Sequence, residues 1–118
     1  MLDLAEHFGK KPISLKEIAH RQSVSEKYLS NLASLLKVSG LVLSARGSAG
    51  GYVLARQPAE ISILDIVKGL AGPVRLVGCL EQKKYCPRYP RCKCRVFWAE
   101  LSQGIEKKLS CKTLEDLM

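Results

Sequence analysis

Histidine is scarce in this 118-residue sequence, and its scarcity narrows the possible functions. The only histidines are His7 and His20, and nothing in the sequence pairs either of them with a cysteine. A Cys-x-x-Cys motif, which is typical of thiol-redox enzymes and of many zinc sites, is also missing. We therefore expect a protein that is not an enzyme, because neither a general base nor a redox thiol pair can be identified.

Long apolar runs are missing as well. No stretch approaches the roughly 20 apolar residues that a membrane-spanning helix needs. The start MLDLAEHF has neither the basic region nor the apolar run of a secretion signal. We expect a cytoplasmic protein without a membrane partner, and in that compartment clustered cysteines are more often metal ligands or redox sensors than disulfides.

Acidic residues are outnumbered by basic ones. The chain has 11 Asp and Glu against 19 Lys and Arg, which gives a formal net charge of +8. This excess favours an anionic partner such as nucleic acid. A chain of this length buries only a modest core by itself, so we also expect it to form an oligomer.

Two short amphipathic helices are predicted close together. The segment SLKEIAHRQ opens with Ser14 and Glu17 at the spacing of a capping box, and a second such pair, Ser23 and Glu26, precedes a run of leucines that ends at Gly40. About three residues separate the two helices, which is typical of a helix-turn-helix. The second helix has a polar face that fits either base recognition in a major groove or an ordinary solvated surface: Lys27, Ser30, Asn31 and Ser34.

A β-hairpin is predicted directly after these helices. LVLSA and YVLA are β-prone runs joined by RGSAGG, so residues 41–55 are expected to form two strands with a glycine-rich turn. A helix-turn-helix followed by a basic hairpin tip indicates a winged helix. Arg46 at that tip could enter a minor groove, or it could be a plain surface arginine beside a turn.

Two further helices are predicted, which makes the fold mainly α with a small β-hairpin. PAEISILDIVKGLAGP has Ser62 and Asp65 as a capping pair and a Gly-Pro terminator. The segment RVFWAELSQGIEKKLSC indicates a long C-terminal helix with one apolar stripe that we expect a second subunit to cover: Trp98, Leu101, Ile105 and Leu109.

Four of the five cysteines lie within CLEQKKYCPRYPRCKC, residues 79–94. Iron–sulfur clusters are held by cysteine thiolates, and the surrounding basic residues would offset the charge of an anionic cluster. A structural zinc site on Cys79, Cys86, Cys92 and Cys94 is the alternative, although zinc sites favour closer cysteine pairs. Cys94 lies two residues after Cys92, so it is either a spare thiol or a replacement ligand.

Several of these segments together resemble the Rrf-two family of bacterial transcription regulators: MLDLAEHFG, SLKEIAHRQSVSEKYLSNLASLLKVSGLV, SARGSAGGYVLAR and the spaced cysteines. The resemblance implies a homodimer with a winged helix-turn-helix and a long C-terminal dimerisation helix. It places Lys27, Tyr28, Ser30 and Asn31 on the recognition helix and Arg46 on the wing. It also implies a [2Fe–2S] or [4Fe–4S] cluster held by Cys79, Cys86 and Cys92, whose spacing fits that of cluster-binding members.

The sequence departs from the family pattern in two ways. Some members use a histidine three positions after the third cysteine as the fourth cluster ligand, and Arg95 stands there in this chain. Family members also usually carry a further basic stretch before MLDLA, so we expect that this form is truncated. On that view the fourth ligand lies upstream of Met1, and the present form holds its cluster poorly or lacks it.

The chain is expected to have three parts and one principal function. Residues 1–72 are predicted to form the DNA-binding domain, 73–94 the cysteine-rich cluster loop, and 95–118 the dimerisation helix and tail. We expect a repressor that binds a pseudo-palindromic operator in double-stranded DNA and senses iron–sulfur, redox, nitric oxide or cysteine status. The alternatives are a cluster-free winged-helix repressor controlled by a protein partner or a metabolite, and a DNA-binding protein with structural zinc.

Overall fold

The chain folds into five α-helices and one two-stranded antiparallel sheet, as seen in a computed structural model that describes residues 1–47, 49–82 and 86–118. The elements in chain order are α1 (Leu2–Ala5), α2 (Leu15–Gln22), α3 (Glu26–Val38), β1 (Val42–Ala45), β2 (Gly51–Leu54), α4 (Ile63–Ala71) and α5 (Cys94–Ser110). Short 3-10 turns occur at Pro58–Glu60, Gly78–Leu80, Tyr89–Arg91 and Glu115–Leu117. Within the described ranges, no helix is both long enough and apolar enough to cross a membrane.

The helix-turn-helix is formed by α2 and α3, and its second cap differs from the predicted one. The Ser14–Glu17 capping box of α2 is confirmed, with Ser14 Oγ accepting from the Glu17 amide at 3.2 Å. The predicted Ser23–Glu26 box is wrong. Ser23 ends α2 in the left-handed conformation, with φ 53°, whereas an N-cap needs extended backbone. Ser25 has that backbone, and its hydroxyl accepts from the Tyr28 amide at 3.2 Å to begin α3.

The hairpin also makes a short backbone bridge from β2 to Ile13, a residue that precedes α2. Ala45 lies opposite Gly51 at the turn end of the ladder. The Tyr52 amide donates to the Ile13 carbonyl at 2.8 Å, and the Ile13 amide donates back to Tyr52 at 3.1 Å. A Cβ at Gly51 would collide with the Ile13 backbone, so glycine is required for this approach. The wing is thereby tied to the segment that precedes α2.

The core lies under the hairpin and includes a residue from near the C-terminus. Leu41, Val42, Ile61 and Leu114 are each almost completely buried. The Leu114 amide donates to the Ile61 carbonyl, and the Ile63 amide donates to the Lys112 carbonyl, both at 2.8 Å. The chain beyond α5 therefore returns to the winged helix and fixes the end of α5 against it.

The helix α4 joins the winged helix to α5. Its Ser62–Asp65 capping box is confirmed, and Gly72 ends it with φ 78°. A Cβ at Gly69 would lie 2.6 Å from Ser39 Oγ, so the absence of a side chain lets α4 approach the end of α3 closely. On the other side, Lys68 of α4 lies 3.6 Å from Glu106 of α5.

The apolar surface of α5 is offset from the predicted stripe. Trp98, Ile105 and Leu109 are half-buried within the single chain. Of the four predicted residues only Leu101 is exposed, at 41 %, and its exposed neighbour one turn earlier is Phe97, at 58 %. The helix folds back onto α4, which covers part of the stripe and leaves the Phe97 and Leu101 side open.

Candidate nucleic-acid interface and cysteine segment

The first half of α3 presents four exposed side chains of different chemistry. Lys27, Tyr28, Ser30 and Asn31 are all exposed, and Tyr28 is 55 % accessible although it is aromatic. Together they offer a cation, a phenol, a hydroxyl and an amide, which are the groups that read base edges and phosphates in a major groove. All four residues that the sequence analysis placed on a recognition helix therefore lie on one helix and point to solvent.

The opposite face of α3 explains why these side chains point outward. Ala33 and Leu36 are buried, and Leu29 packs against the same core. Burial of this face fixes the rotation of the helix about its axis. Ser34 turns back to the helix, where its hydroxyl donates to the Ser30 carbonyl at 2.9 Å.

Arg46 lies on a separate element, the tip of the hairpin. It follows the last residue of β1, is exposed, and precedes Gly47, whose φ of +108° favours glycine. Within the described part of the chain, Arg46 forms no ion pair with an acidic side chain. The structure thus offers two basic or polar surfaces, one on α3 and one on the wing.

An ion pair between a buried carboxylate and an exposed arginine, which the sequence analysis missed, joins α1 to α2. Asp3 is 6 % exposed, and Arg21 binds both of its carboxylate oxygens, with Nε at 2.9 Å from Oδ2. Gln22 donates to the same carboxylate at 3.3 Å. The hydrogen bonds from Arg21 hold the pKa of Asp3 below its ordinary value, although burial acts in the opposite direction. A separation of 18 residues leaves no periodic signal by which the pair could have been found in the sequence.

The cysteines are distributed along the segment between α4 and α5. Cys79 lies in the turn Gly78–Leu80, Cys92 lies just before α5, and both are half-buried, as is Cys86. Cys94 is the first residue of α5 and is exposed. In residues 1–47, 49–82 and 86–118, no three Cys, His, Asp or Glu side chains lie close enough together to hold a metal ion. The donor types fit an iron–sulfur cluster, but this conformation does not gather them into one site.

Arg95 stands where some family members have a histidine cluster ligand, and in this chain its side chain contacts Tyr89. Its guanidinium donates to the Tyr89 carbonyl at 3.2 Å, and its Cζ lies 4.5 Å from the centre of the Tyr89 ring. This cation–π contact and hydrogen bond hold the turn Tyr89–Arg91 against the start of α5. Arg95 thus orders the cysteine segment without being able to ligate a metal.

A helix-turn-helix followed by a hairpin with an arginine at its tip defines a winged-helix protein of the DNA-binding class. The sequence matches the Rrf2 family, described as iron-dependent transcriptional regulators, over residues 1–118. The chain belongs to this family, which confirms the resemblance, and it is a DNA-binding transcription regulator, not an enzyme.

Individual relatives agree with this assignment. The chain is 39 % identical over 118 residues to the protein rrf2 of Nitratidesulfovibrio vulgaris, covering 100 % of this chain and 79 % of the relative. It is 36 % identical to the transcriptional regulator IscR of Xenorhabdus nematophila, over 100 % and 71 % of the two chains. The structure of CymR, the global cysteine regulator of B. subtilis, superposes with a TM-score of 0.76 at 39 % identity, over 98 % of this chain and 84 % of CymR.

Proposed function

We propose that this protein is a cytoplasmic, homodimeric repressor that places α3 in the major groove of a pseudo-palindromic operator. The exposed polar face of α3, held outward by its buried opposite face, carries this proposal. Residues 1–72 serve as the DNA-binding domain, 73–94 as the sensing segment, and 95–118 as the dimerisation helix and tail.

The exposed side chains have distinct proposed roles. Asn31 makes a bidentate contact with a base edge, for which a side-chain amide has the required donor and acceptor. Lys27, Tyr28 and Ser30 contact phosphates and neighbouring bases. Arg46 reaches the minor groove beside the half-site, where its guanidinium meets concentrated negative potential.

Selection from a random double-stranded library tests the DNA proposal. We expect an enriched inverted repeat whose half-sites lie about one or two helical turns apart, because a two-fold symmetric dimer imposes that spacing. Enrichment of a single unrepeated half-site would contradict the dimeric mode of binding. No enrichment above the input library would contradict sequence-specific recognition.

We propose further that Cys79, Cys86 and Cys92 hold a [2Fe–2S] or [4Fe–4S] cluster. Their thiol chemistry and the family description support this assignment. When bound, the cluster would supply a group whose presence or oxidation state changes with the cell's iron and redox status. The segment's own part is to position three thiols between α4 and α5, so that binding or loss of the group can alter the start of α5.

Anaerobic reconstitution tests the cluster proposal. We expect visible absorbance with matching iron and sulfide contents, and loss of both in Cys79→Ser, Cys86→Ser and Cys92→Ser. Cys111→Ser is the matched control because Cys111 is an exposed cysteine outside this segment. Cys94→Ser, made in parallel, reports whether the thiol at the start of α5 is the fourth ligand.

Two outcomes of the reconstitution would contradict the cluster proposal and support an alternative. Colourless protein with stoichiometric zinc would establish the structural zinc site. Colourless protein without metal would favour a cluster-free regulator controlled by a protein partner or a metabolite.

A further inference from the structure

An open concavity lies beside the turn that precedes α5. It has a volume of about 620 Å³, and its lining is formed by Pro87, Arg88, Pro90, Arg91 and Cys92. This volume falls within the roughly 300 to 1,000 Å³ that is typical of sites for small organic molecules. Its lining combines two arginines with two prolines.

The positive charge of this concavity has no acidic counterpart nearby in the chain. Between Glu81 and Glu100 the sequence contains no Asp or Glu. Arg88 and Arg91 are both exposed, and neither forms an ion pair with any acidic residue in the described ranges. Because arginine remains protonated at every physiological pH, both positive charges persist.

The arginines project from an ordered turn. The Tyr89 amide donates to the Cys86 carbonyl and the Arg91 amide to the Arg88 carbonyl, both at 3.0 Å. The contacts of Arg95 with the Tyr89 carbonyl and ring hold the same turn. Pro87 and Pro90 fix their own φ angles, which lowers the number of backbone conformations that ligand binding would have to select.

We propose that this concavity binds a small organic anion with a doubly charged oxyanion head, such as a phosphate monoester or a dicarboxylate. The planar guanidinium groups of Arg88 and Arg91 match the paired oxygens of such a head. The ring faces of Pro87 and Pro90 supply apolar surface for the body of the molecule. This site goes beyond the DNA and cluster proposals. Because Cys92 both lines the concavity and is a proposed cluster ligand, the site belongs to the cluster-free form of the protein.

The concavity lies away from the point where the chain after α5 is tied to the winged helix. It lies at the N-terminal end of α5, whose 17 residues span roughly 25 Å. The opposite end of α5 is the one tied to the winged helix through Leu114 and Ile61. A bound anion would therefore contact the cysteine segment at a distance from that anchor.

Calorimetric titration at constant ionic strength tests the site. The probes are glycerol 3-phosphate and succinate, which separate the phosphate from the carboxylate source, with sodium chloride as the screening control. We expect saturable binding of at least one probe, and Arg88→Gln and Arg91→Gln should each weaken it by about tenfold, since charge-assisted hydrogen bonds of this strength are lost. Arg56→Gln, which changes another exposed arginine, should leave the affinity unchanged.

The proposal would be overturned if neither probe gave a saturable heat, or if Arg56→Gln lost as much affinity as the Arg88 and Arg91 variants. It would also be overturned if the Arg88→Gln, Arg91→Gln double variant, with its fold checked by circular dichroism, kept the affinity of the wild type. A double variant that bound both probes normally but lost DNA affinity would assign these arginines to the DNA backbone instead. The titration uses neither DNA nor a cluster, so its failure leaves the proposed function unaffected.

Discussion

At the scale of the single residue, Asp3 carries an almost completely buried carboxylate beside the helix-turn-helix. Its bonds to Arg21 and Gln22 join α1 to the last turn of α2. A buried carboxylate is tolerated only when its oxygens are paired, so the orientation of α1 depends on these donors. The pair thereby helps to fix the end of α2, from which the turn into α3 begins.

We expect Asp3→Asn to lower the free energy of unfolding by about 1 to 3 kcal/mol at pH 7, because it leaves buried polar groups imperfectly paired. The folded pKa of Asp3 lies below its ordinary value of 3.8. Its contribution is therefore fully present above that value and is lost as the pH falls through the folded pKa. Urea unfolding between pH 7 and pH 3 measures both effects.

The difference between wild type and Asp3→Asn should shrink toward the acid end of this range. Glu115→Gln, at an exposed position, is the control and should change little at either pH. A difference that stayed constant down to pH 3 would show that the ionised form of Asp3 is not the stabilising one.

Asn31→Ala and Arg46→Ala should affect DNA binding differently. Loss of the Asn31 amide should cost about 1 to 3 kcal/mol on the operator and much less on random DNA. Loss of Arg46 should weaken binding to both and flatten the salt dependence, because fewer counterions are released. Fluorescence anisotropy at several salt concentrations measures these effects, with Arg56→Ala as the matched control. Equal losses on operator and random DNA for both variants would contradict the division of roles.

At the scale of the elements, the attachment of the wing to the segment before α2 requires a glycine at position 51. Gly51→Ala would force a Cβ against the Ile13 backbone and disrupt the paired hydrogen bonds between Ile13 and Tyr52. We expect a loss of about 1 to 3 kcal/mol in unfolding free energy, as for other overpacked sites. Thermal unfolding measures it, with Ser44→Ala, on the exposed side of β1, as the control. A melting temperature unchanged in Gly51→Ala would show that the backbone pairing is dispensable.

Local sequence signals predicted most of the helices and strands, but they did not predict contacts between residues that are far apart in the sequence. The capping pairs Ser14–Glu17 and Ser62–Asp65 were identified because each acts within one turn. The sequence analysis placed the cap at Ser23 because two serines, Ser23 and Ser25, stand just before Glu26, and only backbone conformation distinguishes Ser25 as the cap. The pairing of Leu114 with Ile61 and of Asp3 with Arg21 depends on how the chain returns on itself, for which a single sequence gives no periodic signal.

The candidate site was predictable to a similar extent. The recognition face of α3 followed from its helical spacing and its buried leucines. The offset on α5 could not be predicted from the sequence, because Trp98 and Phe97 are adjacent and only tertiary packing decides which of them is covered. The role of Arg95 was equally hidden, since its partner Tyr89 is recognisable only once the turn before α5 is formed.

At the scale of the whole molecule, the exposed apolar side of α5 predicts association. The chain is elongated, with a longest dimension of 59 Å, and Phe97 and Leu101 remain exposed on α5. We expect a dimer of twice 13.0 kDa in light scattering, and Phe97→Glu should shift it toward monomer, because a charge at a desolvated interface is costly. Val38→Glu, at an 89 % exposed apolar residue of α3, is the control. A wild-type monomer at micromolar concentration would contradict the proposed assembly.

The backbone contact between Leu114 and Ile61 gives α5 the mechanics of a lever. A helix is stiff along its axis, and this one is fixed to the winged helix at one end while its other end begins at Cys94. Over a length of roughly 25 Å, a tilt of about 10° at the fixed end corresponds to a displacement of roughly 4 Å at the free end. In the proposed dimer, we expect a rearrangement of a few ångströms among the cysteines to reach the DNA-binding half as a small rotation, which would change the spacing of the two recognition helices.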